Sequence, residues 1–281
     1  MTELPSCDVA IVGAGIAGSA LAAALSGRGL QIVVIEAQGD ERAVLPDALA
    51  LESFDPRVVA LSPRSRRLLN ELGAWQAVAD YRLCAYDHMT VWDAEGTGAI
   101  DFDSADVGAA ALGYIVENRA LVGALLGRLA ACPDVRLLAP ESLAGCERAA
   151  DGALVLTLAS GAQLRLRDLL AFRTREWDYG HHAVVATVQV ERPHQTTAWQ
   201  RFLPSGPLAF LPLPSAPDAQ YCSIVWSLDS SRVDGIQALQ AAEFCAALER
   251  AFEGRLGRVL GCSRRFAFPL RQRHAVDYVQ P

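Results

Sequence analysis

Residues Val9 to Gly18 read VAIVGAGIAG, four apolar residues running into glycines at positions 13, 15 and 18. The apolar run suits a strand covered on both faces. The alanine- and leucine-rich IAGSALAAALSGR that follows reads as a helix, stopping at Gly29 as its C-cap. Ile32 to Ile35 repeat the apolar run and end on Glu36, 18 residues past Gly18. Strand, tight turn, helix and strand in this order make the βαβ unit of a dinucleotide-binding fold. Gly13 permits the sharp turn, Gly15 lets the backbone approach a pyrophosphate, and Gly18 lets helix and strand pack closely. Ala14, Ile16 and Ala17 complete the phosphate-facing turn, where unpaired helix amides and the positive end of the helix dipole favour an anion. Glu36 is placed to accept hydrogen bonds from adenosine ribose hydroxyls and to repel a 2′-phosphate, which leaves NAD and FAD as the candidates.

Composition removes other classes. The chain has 281 residues, 52% of them hydrophobic, enough for a sizeable core. Its net charge of −7 argues against a nucleic-acid surface. It contains no lysine, so all 25 positive side chains are arginine. That excludes a P-loop and any Schiff-base lysine. Seven cysteines, widely spread and without a CxxC pair, read as free thiols of a reducing compartment, and a cytoplasmic protein is expected. The five histidines do not have metal-ligand spacing. Residues 9 to 27 carry no charge, yet Glu3 and Asp8 precede them and four glycines interrupt them, so neither a membrane span nor a signal peptide is expected.

Beyond Glu36 the pattern leaves the NAD-dehydrogenase plan. A long loop leads to DPRVVALSPRS instead of further βαβ repeats. PRSRRLLNELGAW, Pro63 to Trp75, has helical spacing with Pro63 near its start and Gly73 near its end. HMTVWDAEGTGAIDFD alternates apolar and polar residues about a Glu-Gly-Thr-Gly turn, a β-hairpin. A helix is expected from Arg119 to Ala131, then a meander from VRLL to LRLRDLL with turns at Asp151-Gly152 and Ser160-Gly161. HHAVVATVQV, TAWQRFLPS, PLAFLPLP and YCSIVWSL read as consecutive antiparallel strands, followed by a helix, ALQAAEFCAALERAFEG, and a final strand, RRFAFPLRQR. A nucleotide-binding α/β part interrupted and followed by an antiparallel sheet favours FAD over NAD.

These segments resemble the flavin-dependent aromatic hydroxylases, in particular the ubiquinone-biosynthesis branch (the UbiH/UbiF/VisC group), with the octaprenylphenol hydroxylases nearest in character. VAIVGAGIAG, RVVALSPRSRRLLNELGAW, MTVWDAEGTGAIDFD, LGYIVENRALVGAL, WDYGHHAVVATVQVERPH, RFLPSGPLAFLPLP, CSIVWSL and FAFPLRQRHA carry the likeness in family order. It implies a para-hydroxybenzoate-hydroxylase-like α/β fold. A discontinuous Rossmann-like FAD-binding domain would span 1–80 and 104–175, and an antiparallel substrate-binding sheet domain 81–103 and 176–270. Residues 271–281 would begin a C-terminal FAD-binding segment that the sequence does not include. Arg57 and the Glu117-Asn118-Arg119 segment would approach the cofactor; the alternatives are an ion pair of Arg57 with the nearby acidic loop, and a helix-capping surface role for Arg119.

The family's second Asp-Gly motif is absent after LRLRDLL, and Ala150 to Gly152 imitate it only as a hairpin turn. Its Gly-Asp-Ala-Ala-His motif would follow Pro281. Each hydrogen bond lost with that motif is worth about 0.5–1.5 kcal/mol, so weakened FAD binding and an inactive, truncated form are expected.

The resemblance further implies that NAD(P)H reduces the flavin and that one atom of O2 enters a phenol ring. The substrate would be a polyprenylated phenol, walled by Trp199, Phe202, Phe210, Leu211 and Pro212; ordinary sheet core is the alternative for each, and His181 and His182 are candidates to touch substrate. No general base is nominated. Peripheral attachment to the inner membrane and a complex with other ubiquinone-biosynthesis proteins follow from the family alone, and the oligomeric state, a homo-oligomer among the options, stays open. Two other functions stay open: a non-catalytic phenol-lipid-binding or assembly protein, and an NAD-linked dehydrogenase.

Overall fold

The computed structural model describes residues 7–39, 45–148, 154–158 and 174–276. The chain opens with strand β1 (Val9–Val12), helix α1 (Ile16–Leu25) and strand β2 (Ile32–Ile35). Strand β3 (Val58–Leu61) and helices α2 (Pro63–Glu71) and α3 (Trp75–Tyr81) follow. Next come β4 (Cys84–Tyr86), the hairpin β5 (His88–Asp93) and β6 (Ala99–Asp103), β7 (Gly113–Glu117) and α4 (Asn118–Ala130). Then β8 (Val135–Leu138), β9 (Leu143–Arg148) and β10 (Leu154–Leu158) precede β11 (Thr174–Val190), β12 (Thr197–Leu203), β13 (Gly206–Pro212) and β14 (Gln220–Asp229). Helices α5 (Ser230–Ala238) and α6 (Ala241–Ala251) and strands β15 (Val259–Cys262) and β16 (Phe266–Ala275) end the described chain.

β1, β2 and β8 form a parallel sheet, with Val9 opposite Ile32 and Ile32 opposite Val135. The VRLL segment therefore belongs to the nucleotide-type sheet and not to the expected meander. A parallel strand needs a crossover, and α4 supplies it. α4 buries Leu121, Leu125 and Leu129 at helical spacing against the small Ala22 of α1. Helix α1 stops at Ser26, before Gly29, because Asp134 receives both the Ser26 hydroxyl (2.6 Å) and the Gly27 amide (2.7 Å). β9 and β10 do form an antiparallel hairpin, but its turn, the Ser160-Gly161 turn and LRLRDLL lie outside the described residues. β3, β7 and β4 make a second small sheet, which sequence pattern alone did not reveal.

The large sheet holds eight strands in the order β15-β11-β14-β13-β12-β5-β6, with β16 also paired to β11. The strands are not simply consecutive. β12, β13 and β14 form a meander, but β11 lies beyond β14 and the β5–β6 hairpin joins through a parallel β5–β12 pair. One face is covered by α5 and α6, where the alternating Leu208 and Phe210 meet Phe244, Leu248 and Phe252. The helix expected over 238–254 is α6, which begins only at Ala241, and α5 before it was not expected. Leu239 leaves the helical conformation and Gln240 restarts it with a capping box in which its amide donates to Glu243 Oε2 at 2.9 Å.

Candidate functional site

At the end of β1 the chain turns through Gly13, whose φ of +99° lies in the left-handed region, and the Gly13 amide donates to the Ile35 carbonyl at 2.7 Å. A Cβ on Gly18 would lie 1.9 Å from the Gly13 carbonyl oxygen, so only glycine lets α1 sit this close to the turn. Gly15 is different. It is the N-cap of α1 with ordinary φ, and a Cβ there would meet nothing within 4 Å. Among the described residues nothing crowds position 15, so the backbone there is open to close approach from outside. The amides of Gly15, Ile16 and Ala17 have no acceptor among the described residues. α1 has no side-chain cap and no acidic residue in its first turn. The open, uncapped turn thus presents amides and the positive helix end to an anion.

Glu36 closes the turn from the side. It is buried, with Oε2 accepting from the Ala14 amide at 2.6 Å and Oε1 from the Gln38 amide at 2.8 Å. Its backbone is held between Leu138 and Glu141, at the carboxyl edge of the parallel sheet. The carboxylate is thereby held at the side of the turn, next to the uncapped end of α1.

A second carboxylate organises the neighbouring sheet. Glu117 ends β7, is 3% exposed, and receives Arg82 Nε at 2.6 Å on one oxygen. Its other oxygen receives the Arg119 guanidinium at 2.6 Å and the Asp55 amide at 2.7 Å. Arg119 also donates to the Ser53 carbonyl. Asp55 returns the bond by accepting the Arg119 amide at the start of α4, and also accepts the Arg57 amide. Arg119 is therefore drawn inward onto Glu117 instead of projecting as a surface cap. Arg57 is exposed, with its guanidinium 6.0 Å from the ring centre of Phe268 on β16. Burial, with the Glu117 charge beside it, pushes the Tyr81 hydroxyl up from its ordinary value.

Strand parity divides the five residues expected to wall a substrate cavity. Trp199 and Phe210 are directly opposite on β12 and β13, and Phe210, fully buried, stacks on Phe252 of the helix layer at 3.9 Å. Pro212, two residues on, shares that face and pairs with Cys222 of the same core. These three are not together with the others on an open surface. Trp199 does border a polar cavity of about 420 Å³ that also touches His88, Thr90 and Asp101. Leu211 points the opposite way, into a small cluster with Phe54, Ile115, Leu213 and Tyr221 between the two sheets. Phe202 lies on that second face and is 46% exposed. Tyr221 and Phe54 escaped sequence reading; the period-2 alternation of PLAFLPLP, followed across to YCSIVWSL, was the signal for Tyr221, and Phe54, in the chain before β3, had no such signal. His181 and His182 are half-buried and bonded to the Tyr179 carbonyl and the Ser230 hydroxyl.

Among the described residues there is no cluster of His, Cys, Asp and Glu suited to a metal ion, and no helix long and apolar enough to cross a membrane.

Residues 6–114 match the FAD binding domain family model. The chain is 35% identical to 3-demethoxyubiquinol 3-hydroxylase of Escherichia coli (strain K12), over 100% of this chain and 72% of that protein. It is 34% identical to the ubiquinone hydroxylase UbiL of Rhodospirillum rubrum, over 97% of this chain and 63% of that protein. The crystal structure of Pseudomonas aeruginosa PqsL in complex with 2-aminobenzoylacetate superposes with a TM-score of 0.71 at 19% identity, covering 94% of this chain and 73% of that one. The fold and the glycine turn define a flavin-dependent aromatic monooxygenase, an FAD oxidoreductase of the para-hydroxybenzoate-hydroxylase type. Within that class the chain belongs to the ubiquinone-biosynthesis hydroxylase family, and it spans about two thirds of the length of the relatives it matches.

Proposed function

We propose that this chain seats FAD on the β1–α1 turn and hydroxylates the ring of a polyprenylated phenol in ubiquinone biosynthesis, consuming NAD(P)H and O2. The observation that carries the reading is the turn, where amides without acceptors stand before the open side of Gly15, with buried Glu36 at the adjoining strand end. The donor set fits the group: a diphosphate suits the amides of Gly15, Ile16 and Ala17, and a ribose diol suits a carboxylate at Glu36. Bound there, FAD supplies the reduction of O2 and the transfer of one oxygen atom to the ring.

The chain's own residues bind, orient and exclude water. Gly13, Ala14, Gly15, Ile16, Ala17 and Gly18 hold the diphosphate, and Glu36 holds the adenosine ribose. Arg119 and Arg57 place positive charge along the edge between the two sheets. On the substrate side, Leu211 with Tyr221, and Phe202 farther along the same face, give an apolar lining. Trp199, Phe210 and Pro212 stiffen it from behind. The division into a cofactor part (1–80, 104–175) and a substrate part (81–103, 176–270) belongs to the same reading. So do action from the cytoplasm at the inner-membrane surface, association with other proteins of the pathway, and a homo-oligomer.

Flavin titration followed by fluorescence quenching and calorimetry tests the cofactor. Binding is expected, weakened about tenfold in Glu36→Gln because a charged acceptor is lost. A titration without heat or quenching overturns the reading. Phenol-dependent NAD(P)H oxidation with a hydroxylated product by mass spectrometry tests the reaction. Flavin binding without any phenol-dependent turnover removes the catalytic claim.

A further inference from the structure

Two thiols outside this site face each other across the helix layer. Cys245 lies on α6 within the helix-side core, and Cys262 ends β15, against which α6 packs. Both are free, and the Cys262 side chain is near enough to help hold the Cys245 thiol above its ordinary value. Their surroundings differ. Cys245 is buried, whereas Cys262 is partly exposed and opens into a cavity of about 520 Å³ lined by Glu52, Gln237, Ser263, Arg264 and Arg265. Arg265 is held rigidly there, donating to the Ile236 and Leu239 carbonyls at the end of α5. The cavity gives a small oxidant access to the Cys262 sulfur in the company of two arginines.

We propose that Cys262 and Cys245 are a peroxide-oxidised pair, in which Cys262 meets the oxidant from the arginine-lined cavity and Cys245 then closes a disulfide that ties α6 to β15. The oxidant is hydrogen peroxide or a small organic hydroperoxide. The Cys262 thiolate attacks one peroxide oxygen, the O–O bond breaks, and the other oxygen leaves as hydroxide (or alkoxide), which takes up a proton. Cys262 is then a sulfenic acid. Cys245 sulfur attacks the Cys262 sulfur, the S–O bond breaks, and the Cys245 proton leaves with that oxygen as water. The two thiols lose two electrons and the peroxide gains them. Burial first, and then the neighbouring Cys262, hold the Cys245 thiol up at about 12, so it stays protonated at neutral pH and is not the thiol that meets the peroxide first.

A second pair supplies the internal control. Cys222 is fully buried, Cys84 is 8% exposed, and neither lines either of the two cavities described above. The same peroxide should leave this pair reduced.

Dilute hydrogen peroxide is added to the purified protein, which is then mapped with trypsin. Cleavage after arginine puts Cys245 in peptide 233–250 and Cys262 in peptide 259–264. The expected result is a protein lighter by two hydrogens, a cross-link joining those two peptides, reversal by dithiothreitol, and a melting temperature raised by a few degrees. In Cys245→Ser, a sulfenic acid on Cys262 is trapped by dimedone. In Cys262→Ser, loss of the Cys245 thiol slows about tenfold or more. If both thiols stay open to alkylation, if the cross-link maps to Cys84 and Cys222, or if Cys245 oxidises at an unchanged rate in Cys262→Ser, the proposal fails. The wild-type cross-link requires no variant to fold and no bound flavin, so its failure is independent of the hydroxylase reading.

Discussion

The glycine turn after β1 and the face of the eight-stranded sheet are held by different kinds of constraint. In the turn, each requirement acts within a few residues: a positive φ at Gly13, a 1.9 Å steric limit at Gly18, a helix end with unpaired amides. On the sheet, the role of a side chain depends on strands far away in the chain. Phe210 and Leu211 are adjacent, yet one stacks on Phe252 under the helices and the other meets Phe54 and Ile115 between sheets. Local constraint makes a site legible; long-range constraint decides which neighbour owns it.

That comparison breaks if damage to one region is felt equally in the other. The largest effect is expected for Phe210→Ala, which empties a fully buried, stacked position and should cost about 3–5 kcal/mol in denaturant unfolding. Flavin affinity of the folded fraction should stay near wild type, and a parallel collapse of affinity would show that the sheet core and the turn are one unit. Glu117→Gln comes next. It removes the charge that two arginines share at a 3% exposed position, and about 3 kcal/mol of stability should go with it. Retaining wild-type stability would mean that Arg82 and Arg119 find other acceptors.

Gly18→Ala is expected to cost about 1–3 kcal/mol through overpacking against the Gly13 carbonyl. Flavin affinity should fall by about a hundredfold, since the amides move. An unchanged titration would sharpen the comparison by separating turn geometry from ligand binding.

The smallest effect concerns Asp134, whose carboxyl sits below its ordinary range chiefly because it accepts from the Ser26 hydroxyl, then from the Gly27 amide. A lowered folded value means the stabilisation is present above the ordinary carboxylate range and is lost as pH falls through the lowered one. The melting temperature of Asp134→Asn should therefore trail wild type slightly at about pH 7 and match it at about pH 2. A gap that survives in acid would assign the effect to packing.

Much of the fold was legible. The βαβ opening, the β5–β6 hairpin, α4 and the strands of the large sheet carry their own periodicity and turn residues. What was misread shares one cause. VRLL looked like the start of a meander because a short apolar run does not reveal whether its neighbour is parallel or antiparallel. The antiparallel strands looked consecutive because β11 records nothing locally of its partner β14. Helix α5 went unrecognised because Ser230–Ala238 carries few large apolar residues, Val233 and Ile236, on either side of Gly235. The pairing of Arg119 with Glu117, a carboxylate two residues away, is one that only burial makes decisive.

By itself, the sequence determined the nucleotide-type turn, the absence of lysine chemistry and the family, because these rest on residue identities and short spacings that no packing can change. Only the tertiary structure decided that VRLL completes the parallel sheet, that Phe210 and Leu211 serve opposite faces, and that Cys245 meets Cys262. Each of those depends on which distant strand or helix lies alongside, and the free energy that selects the neighbour comes from burying whole faces together, not from any single stretch of chain.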